Sequence, residues 1–447
     1  MGINAVITPP KEIDSEGHPA ADRWNPLTRI AFRFGVVYFG LYCLGIPQVF
    51  LAMLGYLGRD LNNGTADWSA GLVEWAGRHI FGVETGSPIG GSGDGTFEWT
   101  RLGVYLIIAL AAATVWTVLD CRRLTYSALL PWFRILLRLM LAAQMFLYGM
   151  AKVFPIQMWV PLDRLVQPLG ELSPAGIMWA QVGASTPYEI LLGCAEVTGG
   201  LLLLLPRTVL PGALLCAVSM GQVFLMDVCF GVPVRLHSFH LLLMALVLVA
   251  PDVPRLLAVF GGRAAGPSAR RAPLRSPGGG VVMALVVLIC GLWTLGYQAW
   301  ESGTAWRQLD DRSKTVPLYG IWNVEEFSRD GVPQPPLVTD TRRWRRVIFD
   351  LPGLVTVSSM DDSRTVYAAT VDTDNRMLTL AMPGKPEETV RLRFERPDDS
   401  LILDGQGLHM NTTRIDPETF PLKRGDVPWV QNDGTHPLFP SPSRAGA

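Results

Sequence analysis

This sequence predicts an α-helical polytopic membrane bundle of about seven transmembrane helices, followed by a small all-β, barrel- or sandwich-like extracytoplasmic domain. Three observations carry that reading. Of the 447 residues, 49% are hydrophobic and only 17% charged, and mean hydropathy is +0.26, a combination rare in a soluble chain of this length. Apolar runs of about 20 residues recur between Ile30 and Trp300, each long enough to cross roughly 30 Å of hydrocarbon as a helix. After Pro317 the pattern changes to short β-rich runs separated by turn residues. The formal net charge is -1, and the arginines are spread among the flanks of the apolar runs. That distribution gives no basis for a nucleic-acid partner. The partner it does imply is the lipid bilayer.

Residues 1–29 read as a cytoplasmic N-terminal segment, polar and proline-containing through Asn25. No short apolar stretch with a small-residue cleavage site precedes Ile30, so the first span is expected to act as an uncleaved anchor. The bundle proper covers 30–260. Its first span runs from Ile30 to Gly58, with Pro47 as a kink. The polar stretch Arg59 to Thr100 holds an amphipathic piece, LVEWAGRHIF, and an irregular glycine-rich loop, GSPIGGSGDGTFEWT. Leu102–Leu119 is the second span, and CRRLTYS turns the chain into the third, Leu129–Phe154. The segment PIQMWVPLDRLVQPLGELSPAG is too proline-rich and polar to cross, and predicts a surface segment with an interfacial helix around Ile177 to Val182. The fourth, fifth and sixth spans are Pro187–Leu205, Leu210–Val228 and Leu236–Ala250. A basic cytoplasmic linker, 261–280, precedes the last span, 281–300; the β-domain then covers 301–431 and a disordered tail 432–447.

Orientation follows from the basic residues. Arg23, Arg29, Arg122, Arg123, Arg207, Arg255, Arg263, Arg270, Arg271 and Arg275 fall on one side if the spans alternate, against Arg59, Arg78 and Arg164 on the other. The richer side is the cytoplasm. The expectation is therefore a bacterial inner-membrane protein with its N-terminus inside and its C-terminal domain outside.

Within that domain the runs LYGIWNVEEF, RWRRVIFDL, LVTVSSM, TVYAATV, MLTLAM, TVRLRF and LILDG are separated by DD, DN, PG and PDD turns, the spacing of a small antiparallel barrel or sandwich. Gly320 and Trp322 resemble the glycine-any-tryptophan opening of lipocalin-like barrels; a tryptophan packed at the base of a barrel is the simpler account. No cysteine follows Cys290. Cys43, Cys121, Cys194, Cys216, Cys229 and Cys290 are scattered singly, with neither CxxC nor zinc-ligand spacing, and read as small apolar residues. Cys229 differs in lying between Asp227 and the His237/His240 pair.

The polar residues inside the spans define the candidate site, because hydrocarbon rejects them unless they are paired, protonated or wetted. Counting ~1.5 Å per helical residue inward from the outer surface, Lys152 and Glu189 lie ~3 Å deep, His240 ~7 Å, Tyr148 and Gln222 ~9 Å, and Gln144 and Glu196 ~14 Å. Asp227, Arg235 and His237 fall near the mouth. Gln144, Tyr148 and Lys152 repeat every four residues on one helical face, and Glu189 and Glu196 share a face at seven. If those faces meet, they line an outer-leaflet polar cleft in which Lys152 pairs with Glu189 and Gln144 with Glu196. A snorkelling Lys152 and an interfacial Glu189 are the plainer account of that pair. Glu196, near mid-membrane, is the strongest candidate for function. Arg134 and Arg138 read as snorkelling residues. His237 and His240 share a helical face, but two histidines and one acid make an incomplete metal site, and a hydrogen-bonded helix entry is the favoured account. Asp94 and Glu98 read as solvated loop carboxylates.

The order Arg138-Leu139, Phe146, Gly149, Lys152, then Glu196, Gly199, Gly200 and a run of leucines resembles the DoxX pattern, a span of the form RL...F..G..K followed by E..GG.LLL. The resemblance covers about Leu129 to Phe260, and the whole layout is similar to longer DoxX-like membrane proteins with an added exported β-domain. Members of the DoxX and DoxD group are associated with a thiosulfate:quinone oxidoreductase and with membrane complexes handling thiols and oxidative stress. The resemblance therefore implies quinone as cofactor or substrate and a membrane or periplasmic redox partner. Lys152, Glu196 and His240 are the expected catalytic residues, and Gln144, Tyr148, Glu189, Gln222, Asp227, Arg235 and His237 the expected substrate-binding ones. No flavin, haem or iron-sulfur motif is visible. Two other readings stand beside this one. The first is a non-catalytic scaffold recruiting an exported partner through the β-domain. The second is a quinol-dependent enzyme with Lys152 as base, similar to vitamin K-dependent carboxylase-type membrane domains.

Overall fold

The computed structural model describes residues 24–55, 69–86, 93–266, 278–382 and 384–424. It comprises two compact units, one of Met1–Val153 with Leu191–Ser302 and one of Phe154–Ile190 with Gly303–Ala447. The expected C-terminal tail, 432–447, and most of the basic linker lie outside the described residues.

Seven helices among the described residues are long and apolar enough to cross a membrane: Pro26–Gly45, Thr96–Leu119, Leu130–Val153, Thr186–Leu204, Val209–Phe230, Arg235–Phe260 and Gly279–Asp310. These are the first to seventh spans. The protein is a membrane protein, and its bundle contacts the bilayer. The third span is its centre. Of that helix's most apolar window 61% is buried against protein, compared with 22% in the second and seventh spans, whose exposed Leu110, Val115, Ile289 and Leu292 present an apolar outer face to lipid.

Several boundaries differ from the sequence reading for local reasons. Pro47 breaks the first span instead of kinking it. The helix ends at Gly45, Ile46 is extended (φ -101°, ψ 110°), and a separate short helix, Pro47–Leu51, begins at the proline. A residue before proline is pushed out of the helical region, and proline suits the first helical position. The seventh span runs on to Asp310, because no proline stands between Trp300 and that residue and the single Gly303 does not interrupt the helix. The interfacial helix is Pro174–Gly183, started by Ser173, whose hydroxyl accepts from Gly176 N.

Close contact between spans depends on missing side chains. A Cβ on Gly193 would lie 2.6 Å from Gly149 O and 2.8 Å from Lys152 Cβ; one on Gly200 would lie 2.6 Å from the Phe146 ring; one on Gly199 would lie 2.8 Å from Cys216 Sγ. The fourth span is thereby drawn against the third through Gly193 and Gly200, and against the fifth through Gly199.

The second unit holds the β-domain. Its strands are β1 Gly320–Arg329, β2 Val332–Pro333, β3 Trp344–Leu351, β4 Leu354–Ser359, β5 Arg364–Asp372, β6 Met377–Met382, β7 Lys385–Glu395, β8 Ser400–Gly405 and β9 Leu408–Ile415. All pair antiparallel with their neighbours. The β1–β9 pairing, Ile321 opposite Ile415 through Arg329 opposite Leu408, closes eight of them into a barrel, with the two-residue β2 added to β1. Barrel, not sandwich, is the outcome, and closure removes the exposed edges a sheet of this size would carry. Trp322, Phe349, Leu378, Leu392, Leu403 and Met410 fill the interior. Trp322 is fully buried, its Nε1 donating to Leu318 O at 2.7 Å, with the Arg396 guanidinium 5.6 Å from its ring.

The segment after the third span belongs to the same unit and packs on the barrel. Leu162 is buried with Ile321 and Ile348, and its N–H donates to Asp350 Oδ2 at 2.8 Å. Arg312 Nε donates to the other oxygen of Asp350 at 3.0 Å and lies over the Trp159 ring, while Arg364 pairs with Asp163 at 2.8 Å. A segment after the third span and a barrel after the seventh can meet only on one side of a membrane. That requires an even number of crossings between them, and the fourth to seventh spans supply four.

Candidate functional site

The polar side chains of the bundle collect around the third span, which faces the first, fourth and sixth. At its C-terminal end Lys152 Nζ donates to both oxygens of Glu196, at 2.9 and 2.8 Å, with side-chain exposures of 6% and 3%. The glycine contacts at Gly149 and Gly193 bring the two backbones close enough for this bidentate pair. Taking both charges out of water is costly, and only mutual pairing offsets it.

Lys152 thus takes Glu196, not Glu189. Depth counted along each helix placed Lys152 level with Glu189, but rotation about the helix axis decides which side chain faces which. Glu189, 2% exposed, accepts from Met158 N at 3.0 Å within the second unit. Gln144 does not reach Glu196 either. Its Oε1 meets His237 Nε2 at 3.1 Å, and its Nε2 makes a long contact, 3.5 Å, to Val49 O.

The sixth span contributes both histidines, and the first span supplies partners the sequence reading missed. Tyr42 OH lies 3.0 Å from His237 Nδ1, and Tyr38 OH 2.7 Å from His240 Nε2. The Tyr42 ring stacks on that of His240, with centroids 4.2 Å apart and planes 6° from parallel. His240 Nδ1 is 2.6 Å from Leu236 O, which can only accept. His240 therefore carries its proton on Nδ1 and accepts from Tyr38 on Nε2. Gln144, with its Oε1 toward His237, requires the opposite tautomer there, Nε2–H, with Nδ1 accepting from Tyr42. The favoured reading of the histidines, a hydrogen-bonded helix entry, fits these partners. Tyr38 and Tyr42 were detectable, since two tyrosines four apart share one helical face and a buried phenol needs a partner.

The remaining expected residues divide. Tyr148 OH accepts from Gln48 Nε2 at 3.0 Å, and its ring lies 5.8 Å from that of His237, so it joins the cluster. Asp227 is buried at 4% exposure. Arg235 is at the start of the sixth span, where Asp94 accepts from Arg235 N, Arg235 Nε and Leu236 N, each at 2.9 Å. Asp94 was expected to be solvated; its side chain is only 2% exposed, because a carboxylate at a helix N-terminus meets orphan N–H groups. Gln222 is exposed on the fifth span, its Nε2 3.9 Å from Met226 Sδ, and is not brought to the cluster. Arg138 does not snorkel. Its guanidinium donates to Leu203 O at 2.8 Å and Leu204 O at 3.0 Å, closing the carbonyl end of the fourth span.

Fold and cluster together define a polytopic membrane protein that buries a lysine–glutamate pair beside a histidine–tyrosine network and carries a β-barrel after its last span. The chain is similar to the uncharacterized protein YwoB of Bacillus subtilis strain 168, with 32% identity over 132 residues that make up 28% of this chain and 79% of that protein, and it belongs to the same family. No family model and no solved structure matches it.

Proposed function

We propose that this is a DoxX-like inner-membrane redox protein that binds a quinone or quinol headgroup at the polar cluster of the first, third, fourth and sixth spans and couples it to oxidation or reduction of a second substrate. The observation that carries the reading is the burial, in a bundle surrounded by lipid, of the Lys152–Glu196 pair next to tyrosine hydroxyls and neutral histidines. Such groups are costly to bury in hydrocarbon even when paired, and by default mark a candidate functional site. A quinone arrives through lipid and offers two carbonyl oxygens. Lys152 and the hydroxyl of Tyr148, which accepts from Gln48 Nε2 and keeps its own proton to give, are donors suited to those oxygens, and Glu196 and His240 can accept or return the protons that accompany two-electron chemistry. Electrons would pass to the second substrate or to a membrane or periplasmic partner. The arginine distribution supports an N-terminus in the cytoplasm and a barrel outside it.

Oxidation of a short-chain quinol by protein purified in mild detergent tests the proposal. Lys152→Met and Glu196→Gln should each abolish turnover with the fold intact, and turnover at the wild-type rate in either variant overturns it. Scaffolding of an exported partner is the second reading, favoured by the filled interior of the barrel, which leaves its outside, including the exposed Leu337 and Val338, as the surface it presents. Deleting the barrel keeps turnover under the first reading and abolishes partner recruitment under the second.

A further inference from the structure

The second unit contains two adjoining cavities that together make an amphipathic groove. The first, of about 790 Å³, is walled by the start of the fourth span at Thr186 and Pro187, the end of the seventh at Trp306 and Asp310, and the short helix carrying Lys423. It therefore lies at a membrane surface, where span ends meet lipid headgroups. Its charged lining carries both signs. Glu189, expected at the bundle cluster, is here instead, its Oε1 accepting from Met158 N at 3.0 Å. Arg312 is engaged by Asp350 at 3.0 Å and by Leu309 O at 2.7 Å. The exposed Asp310 carboxylate and Lys423 ammonium make no hydrogen bond or ion pair among the described residues. The second cavity, of about 750 Å³, shares Trp159, Val160, Leu165, Ala184 and Leu422 with the first. Leu169, Leu172 and, from the interfacial helix, Ile177 and Trp179 continue its apolar lining. Its polar rim is satisfied internally: Arg164 Nη1 donates to Gln167 Oε1 at 2.6 Å, Gln167 Nε2 to Glu171 O at 3.1 Å, and Trp179 Nε1 to Gln157 O at 2.8 Å.

We propose that this groove is a binding site for an aminophospholipid, a lipid whose headgroup joins a phosphate to a primary ammonium. A groove charged in one chamber and apolar in the next suits an amphiphile. The ammonium is matched by Asp310 and Glu189, and the phosphate by Lys423, the cation left uncommitted. One acyl chain then passes Trp159 and Leu165 into the apolar cavity. A purely anionic lipid is the poorer fit, because its charge would meet two carboxylates and one uncommitted cation. A choline headgroup has no N–H to give Asp310. Trp159, Trp179 and Trp306 supply the indoles that favour the depth at which headgroups lie. The site lies in the second unit and stands whether or not the bundle handles quinones.

Native mass spectrometry of the full chain in mild detergent, titrated with phosphatidylethanolamine, phosphatidylcholine or phosphatidylglycerol of matched acyl chains, tests this. Phosphatidylethanolamine should be held about tenfold more tightly than either of the others. Lys423→Glu should weaken its binding about tenfold, and Asp310→Asn should erase the preference over phosphatidylcholine. Both side chains are exposed, so neither substitution should disturb the fold. Glycerophosphoethanolamine, the same headgroup without chains, should not compete. Equal retention of the three lipids, a preference for phosphatidylglycerol, binding unchanged in both variants, or displacement by the soluble headgroup overturns the proposal.

Discussion

Lys152 and Glu196 stand 44 positions apart in sequence and meet with both carboxylate oxygens engaged. Such a pair is a weak source of stability but a large liability once broken, because the survivor is a lone buried charge. Lys152→Met and Glu196→Leu should each lower stability by about 3 kcal/mol, whereas the double variant should recover most of that loss. Unfolding in detergent, followed as a double-mutant cycle, reads the coupling directly. Activity must not recover with it if the charges serve chemistry. Arg138 offers a second lesson at this level. Its position near the end of an apolar run invites a snorkelling account, yet its guanidinium is spent on Leu203 and Leu204 carbonyls of another helix. Nothing in the spacing of its own helix reports where a neighbouring helix ends.

Among the helices, the crossing at Gly149 and Gly193 is the contact on which the ion pair depends. Gly193→Ala would press a methyl group against backbone, which cannot yield as a side chain does, and should cost about 1–3 kcal/mol and weaken the Lys152–Glu196 pair. Gly221→Ala and Gly296→Ala meet nothing within 4 Å and should be neutral or stabilising by up to about 1 kcal/mol. Thermal unfolding of the three variants separates the two cases. Among the strands, the turns carry a pH signature. The Asn375 side-chain amide and then backbone N–H groups hold the Asp372 carboxyl below its ordinary 3.8. A depressed carboxyl stabilises the fold above the unfolded value, and that contribution is lost as pH falls through the lower folded value. Asp350 has the opposite sign. Burial raises it against the pull of Leu162 N and Arg312, so its effect on stability is adverse as pH rises. Barrel stability should therefore fall below about pH 4, and Asp372→Asn should flatten that limb by lowering stability in the neutral region while leaving it little changed in acid. An unchanged acid limb in the variant would remove the turn from the account.

The chain as a whole is a topological statement as much as a structural one. The segment carrying Leu162 and the barrel carrying Asp350 share a hydrogen bond, so both lie on one side of the bilayer, four crossings apart. Single cysteines placed at the exposed Leu169 and Val338 of a cysteine-free background should react with a membrane-impermeant reagent from the same side. Reaction from opposite sides would change the span count. Protection of both in sealed inverted vesicles would place that side outside the cytoplasm.

Spans, strands and the point where one gives way to the other were legible in the amino-acid order because apolar length and side-chain period are local quantities, summed over neighbours along the chain. Residues sharing a face were legible for the same reason, as Gln144, Tyr148 and Lys152 illustrate. Which faces meet was not. That depends on how each helix is rotated and how near it can come, and here glycines at Gly149, Gly193 and Gly200 set the approach that gives Lys152 to Glu196 and leaves Gln144 to His237. Barrel closure through β1 and β9 is of the same kind: a pairing between the first and last strands satisfies backbone groups that no local pattern records.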